Sequence, residues 1–167
     1  MILQCCTQGA KLTPAIKLLQ GKKIAHQVHE YDHDRKAESY GLEAAQKLGI
    51  DERLVFKTLV IALYDGNLAT AVVPVTGQLN LKSAARALGA KKAEMAEPAK
   101  VERVTGYVLG GVSPLGQKKL LRTVIDDSAK SQQTVFVSAG RRGLEIEIAP
   151  QTLADLLDAI FADVATT

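Results

Sequence analysis

The sequence has no tryptophan, two methionines and only two cysteines among 167 residues, and aromatics make up 4% of it. Cys5 and Cys6 are adjacent near the start, so they cannot build the disulfide framework of a secreted mini-protein. Long apolar runs are also missing. The longest, Leu59 to Leu63, is far too short to cross a bilayer. No basic stretch followed by an apolar stretch and a small-residue cleavage site opens the chain, so the expected compartment is the cytoplasm, with no membrane partner. Internal repeats, low-complexity tracts and linkers are absent, which predicts one compact unit. What is present is 47% hydrophobic and 23% charged residues, the composition of a globular chain with a real core.

A net charge of +3 hides an uneven distribution. Lys82 to Arg122 carries nine basic residues against three acidic ones, and no basic residue follows Arg142, where Glu145, Glu147, Asp155, Asp158 and Asp163 make an acidic tail. A basic middle suits a polyanionic partner, although a solvated charged face would produce the same count.

Thr13 followed by Pro14 reads as a helix start, with Ile16, Leu18 and Leu19 as its apolar stripe and Gly21 at its end. His26 to Tyr31 reads as a strand, and Gly41 to Leu48 as a helix closed by Gly49. Phe56 to Tyr64 (FKTLVIALY) is apolar on both parities after Lys57, which predicts a central strand covered on both faces. Asp65, Gly66 and Asn67 then turn the chain into a second β run, Leu68 to Val73. Asn80 caps a helix that Gly89 closes, and Glu97 with Pro98 opens another ending near Gly106. Four further strands are predicted at Tyr107 to Leu109, Thr123 to Ile125, Thr134 to Val137 and Leu144 to Ile148, before a final amphipathic helix from Pro150. The fold class is α+β: a curved, barrel-like sheet, largely antiparallel or mixed, with helices packed outside.

Lys57 is the most informative residue, because an ammonium at the head of an apolar strand must either reach water along its stem or point into a cavity that takes an anion. In the second case it can hold a phosphate or stabilise oxygen charge during acyl transfer. The loop GGVSPLGQKK, Gly110 to Lys119, offers backbone amides to a ligand and adds Lys118 and Lys119 beside it, yet matches neither a P-loop nor a nucleophile elbow. The turn in SAGRRGLEIEI places Arg141 and Arg142 between two strands, as a hairpin tip or a wall for backbone phosphates. His26, His29 and His33 with Asp32 and Asp34 lack a second ligand cluster, so no metal or other cofactor is expected.

Taken in order, TPAIKLL, HEYDHD, VFKTLV, VTGQLNLKSAARALGAKKAEMA, TGYVLGGVSPLGQKK and VSAGRRGLEIEI closely resemble the YbaK family, free-standing relatives of the editing domain inserted in bacterial prolyl-tRNA synthetases. The resemblance covers residues 13–167 as a single domain. Residues 1–12 fall outside it and are expected to be a flexible extension. It implies a deacylase of misacylated tRNA, best known for Cys-tRNA(Pro), with Lys57 as the key catalytic lysine. The substrate pocket is then expected from Tyr31, Tyr40, Thr58, Gly110, Gly111, Ser138, Gly140 and Glu145. Where the closest members carry aspartate after the glycine-leucine pair, this chain has Glu145.

No serine, cysteine or histidine nucleophile is evident, and the resemblance implies that the substrate's own thiol attacks its carbonyl. Contacts to tRNA are expected to be weak and electrostatic, from Lys118, Lys119, Arg141 and Arg142, with prolyl-tRNA synthetase as a partner that supplies selectivity and with no role for DNA. Two other readings stand beside this one: a water-dependent deacylase of Ala-tRNA(Pro) or another small misacylated tRNA, and a tRNA- or synthetase-binding module without catalysis.

Overall fold

A computed structural model describes residues 12–166; Cys5, Cys6 and nearly all of the expected N-terminal extension lie outside them. In chain order the elements are α1 (Pro14–Gly21), β1 (Gln27–Glu30), α2 (Tyr40–Leu48), β2 (Phe56–Leu63), β3 (Leu68–Pro74), β4 (Gln78–Leu79), α3 (Leu81–Ala87) and β5 (Ala93–Met95). They continue with α4 (Pro98–Thr105), β6 (Arg122–Asp126), β7 (Val135–Arg141), β8 (Leu144–Ile148), α5 (Pro150–Leu157), β9 (Ile160–Ala162) and β10 (Ala165–Thr166). Helix starts follow their caps. The side chains of Thr13, Ser39 and Asn80 accept from the amides of Ile16, Leu42 and Ser83, each meeting a donor that the first turn leaves unpaired.

The strands form a five-stranded sheet in the order β5-β2-β3-β6-β9, a three-stranded sheet β1-β8-β7 and a small β10-β4 pair. The β2–β3 hairpin is antiparallel, as the turn chemistry predicts, but β3–β6 and β6–β9 are parallel, so the mixed form of the expected sheet is the one realised. β2 is internal to its sheet, paired with β5 on one side and β3 on the other, as expected of a central strand. One expectation needs correction. Tyr107 to Leu109 is not a strand: Gly106 and Gly110, at φ 82° and 85°, turn the chain on either side of it.

Both faces of β2 are covered. Ile61 and Leu63 pack with Ala84 and Ala85 of α3 and with its C-cap Leu88. On the opposite parity, Val60 meets Val101 of α4 and Tyr107, and Phe56 joins Leu19, Leu153 and the inner side chains of β7 and β8. Each fully buried aliphatic of this kind contributes about 2 kcal/mol. A parallel bridge between Val55 and Phe136 brings the start of β2 against the three-stranded sheet. A concavity lies at that junction between the two sheets.

Candidate functional site

The concavity has a volume of about 410 Å³ and is lined by Tyr31, Glu38, Ser39, Tyr40, Gly41, Val55, Phe56, Lys57, Thr58, Leu59, Val75, Leu109, Gly110, Val112, Ser138, Arg142 and Glu145. Its walls come from six separate stretches of chain. Of the residues anticipated from the sequence, Tyr31, Tyr40, Lys57, Thr58, Gly110, Ser138, Arg142 and Glu145 meet here. Gly111 and Gly140 are not part of this lining. Lys118 and Lys119 are exposed elsewhere, and Arg141 turns aside to Glu30 at 3.2 Å. Glu38 and Val75 had no signal of their own as site residues, Leu109 and Val112 came only with the glycine loop beside or around them, and Ser39 could have been found as the cap immediately before Tyr40.

The two glycine positions that shape the wall are explained by contact. A Cβ on Gly110 would stand 2.6 Å from Tyr40 Cε2 and 2.7 Å from Arg142 Nε. The absence of that atom lets the Arg142 guanidinium lie 4.4 Å from the centre of the Tyr40 ring while its Nη2 donates to Leu109 O at 2.9 Å. One rim of the cavity is therefore a strap made from α2, the glycine loop and the β7–β8 turn. Gly140, at φ 105°, gives its space to the ring of Tyr107, whose hydroxyl donates to Leu115 O at 2.7 Å. Tyr107 thus pins the glycine loop from beneath, which is the work it does instead of pairing in a sheet. Thr13 Oγ1 donates to Ala139 O and fastens α1 to the same bulge of β7.

Inside the cavity, polar groups lack partners. Lys57 is half-buried, makes no hydrogen bond or ion pair among the described residues, and has its pKa lowered by burial. Thr58 Oγ1 is buried with no hydrogen-bond partner. Glu145 is 7% exposed, and burial pushes its carboxyl up to about 8. Tyr31 is pushed up to about 12, first by burial and then by the neighbouring acids Glu145 and Glu43. Unpaired buried polar groups cost free energy unless a ligand pairs them. A cation, a hydroxyl and an acid thus border one hollow.

The histidines are all occupied separately. His26 Nδ1 meets Ile24 O at 2.7 Å, His29 Nε2 meets Glu147 at 2.9 Å, and His33 Nδ1 meets Glu43 at 2.8 Å. Among the described residues no group of three or more His, Cys, Asp or Glu side chains gathers as a metal would require. No helix among them is long and apolar enough to cross a membrane.

Fold and cavity together define a small pocket on a mixed α+β scaffold. The profile of the aminoacyl-tRNA editing domain matches residues 36–156, and the chain belongs to that family. It is 37% identical to a protein of Enterococcus faecalis described as "Putative Cys-tRNA(Pro)/Cys-tRNA(Cys) deacylase EbsC", over 92% of this chain and 93% of that one. It is 29% identical to the uncharacterized protein YwhH of Bacillus subtilis, over 68% of this chain and 71% of the relative. Among solved structures, a "putative trans-editing enzyme for prolyl tRNA synthetase" superposes with a TM-score of 0.79 at 25% identity, covering 94% of this chain and all of that one.

Proposed function

We propose that the chain is a cytoplasmic trans-editing deacylase that cleaves the ester of misacylated tRNA, with Cys-tRNA(Pro) as its main substrate and residues 13–167 acting as one editing domain. The observation that carries this reading is the unpaired set of Lys57, Thr58 and Glu145 in a cavity walled by the Gly110 loop. The relative described as a Cys-tRNA(Pro)/Cys-tRNA(Cys) deacylase supports it.

The hydroxyls of the lining serines, Ser39 and Ser138, accept from backbone amides of Leu42 and Gly140, and the attacking group in this reading is the substrate's own thiol, as the family resemblance implies. Its sulfur bonds to the carbonyl carbon and the bond from that carbon to the ribose oxygen breaks. The thiol proton ends on the released ribose hydroxyl, and the amino acid departs as a small cyclic thioester. An intramolecular nucleophile supplies an effective molarity that reaches about 10⁵ M in favourable systems, which leaves the protein to orient the ester and stabilise charge. Lys57 holds the terminal phosphate or the developing oxyanion, and Gly110 with the Tyr40–Arg142 strap positions the terminal nucleoside.

Hydrolysis of Cys-, Ala- and Ser-tRNA(Pro), compared side by side for the wild type and Lys57→Ala, tests this. The expected result is turnover of the cysteinyl ester alone and a loss of about 10²- to 10³-fold in the variant. Efficient cleavage of the alanyl ester would replace the thiol with water, and tRNA binding without cleavage above the variant's level would leave a binding module. Selectivity for proline tRNA is assigned to prolyl-tRNA synthetase as a partner. A pull-down that recovers no synthetase, with or without tRNA, would remove that assignment.

A further inference from the structure

Lys57 can only donate and the Thr58 hydroxyl, buried without a partner, can do either, but Glu145 is an acid 7% exposed that lines the same cavity, and burial alone raises its pKa, with no hydrogen bond among the causes. In the three-stranded sheet it stands opposite His29 of β1 and Ser138 of β7. Tyr31, Lys57, Arg142 and Glu38 share its cavity, and Tyr31 feels the charges of both Glu145 and Glu43. The nearby cations are mostly engaged elsewhere. His29 is bound to Glu147, Arg142 to Leu109 O and the Tyr40 ring, Arg141 to Glu30, and Lys47 to Glu43 at 3.3 Å. Lys57 is the remaining cation, and it has no contact with Glu145 within ion-pair distance.

Resting on the deacylase reading, we propose that Glu145 is the receptor for the free α-amino group of the aminoacyl ester. The ligand class follows: esters of amino acids with an unblocked amine are taken, and deaminated or N-acylated esters are rejected. With Lys57 engaging the phosphate or carbonyl oxygen and Glu145 the nitrogen, the two ends of the reacting unit are fixed against each other, which orients the side chain between them.

The proton balance closes. An α-amine titrates at about 7.7 to 8.0, close to the value of about 8 to which burial raises Glu145. Near that pH the neutral amine meets the protonated carboxyl, the proton passes from carboxyl oxygen to amine nitrogen, and an ion pair forms with no net exchange with solvent. At lower pH the amine arrives already protonated, so binding releases a proton and weakens as pH falls. At higher pH Glu145 is already ionised, so binding takes up a proton and weakens as pH rises. Affinity therefore passes through a maximum near pH 8.

The test uses non-hydrolysable ligands: an adenosine whose 3′ position carries a cysteinyl group through an amide, and its counterpart with 3-mercaptopropionyl in place of cysteinyl. Both are titrated calorimetrically against the wild type and Glu145→Gln, from about pH 6 to about pH 9. The wild type is expected to bind the amine-bearing ligand about 30-fold or more tighter, with the pH maximum, and Glu145→Gln to bind both alike with no maximum. Equal wild-type affinities, equal weakening of both ligands in the variant, or no measurable binding of the amine-bearing ligand would overturn the assignment. The wild-type comparison decides even if the variant fails to fold. Amine preference without any cleavage of Cys-tRNA would overturn the deacylase reading and leave this one standing.

Discussion

Glu43 and Glu145 are each 7% exposed, yet they titrate in opposite directions. Burial pushes both carboxyls up. For Glu43 that push is outweighed by the Asp34 amide at 2.6 Å, His33 at 2.8 Å and Lys47 at 3.3 Å, and its pKa falls below the usual carboxylate range. Lys47 also donates to Asp32 O, so the network fastens the segment after β1 to α2. Glu145 has no such partners and keeps its proton. Burial alone therefore does not say what an acid is for; the occupancy of its hydrogen-bonding sites does.

The sharpest way to test the contrast is pH. Glu145 holds its proton in the folded state up to about 8 but loses it near 4.5 when unfolded, so the native state binds more protons across that window and stability falls as pH rises through it. The loss amounts to up to about 5 kcal/mol. Urea unfolding at the two ends of the window should show this slope in the wild type and little of it in Glu145→Gln. Glu43 has the opposite sign: its contribution is present above 4.5 and is lost as pH falls through its depressed folded value.

Next in size, Glu43→Ala leaves His33 and the Asp34 amide without their acceptor and should cost about 3 kcal/mol by the urea midpoint, whereas Glu145→Gln near pH 5 should stay within about 1 kcal/mol of the wild type. Equal costs would erase the distinction between the two acids. Gly140→Ala strikes the β7 bulge that follows Ser138, the residue opposite Glu145. Its Cβ would stand 2.5 Å from the Tyr107 ring at φ 105°, and a loss of about 2 kcal/mol is expected in the same assay. The smallest effect belongs to Arg142→Ala, which releases Tyr40 and Leu109 and should raise KM for Cys-tRNA about fivefold, near 1 kcal/mol, without moving the urea midpoint by a comparable amount.

Much of the framework is written locally. Thr13, Asn80 and Gly49 mark helix ends because each satisfies a backbone group within a few residues, and the β2–β3 hairpin follows from its turn. Strands of two or three residues, such as β4, β5, β9 and β10, are too short for alternation to register, and their existence depends on distant partners. Tyr107 misleads because an apolar triplet beside glycine reads as β, while its buried hydroxyl requires the Leu115 carbonyl, which only tertiary structure supplies. Within the cavity, Lys57 is legible from its place on an apolar strand. Tyr31, Tyr40, Thr58, Ser138 and Glu145 were anticipated only through resemblance, since nothing in their spacing links them. Arg142, read as a phosphate contact, lies over Tyr40 because Gly110 leaves room, a fact of close approach that no local pattern encodes.

The pairing of Gln27 with Glu147 in β1 and β8 has a kinetic consequence. Residues near opposite ends of the chain must find each other before one side of the cavity exists, and contacts so distant in sequence form slowly because loop closure comes before any reward. A partly synthesised or partly refolded chain therefore has its lysine-bearing hairpin but no hollow to go with it. Activity should return last in refolding, after the helices have regained their signal.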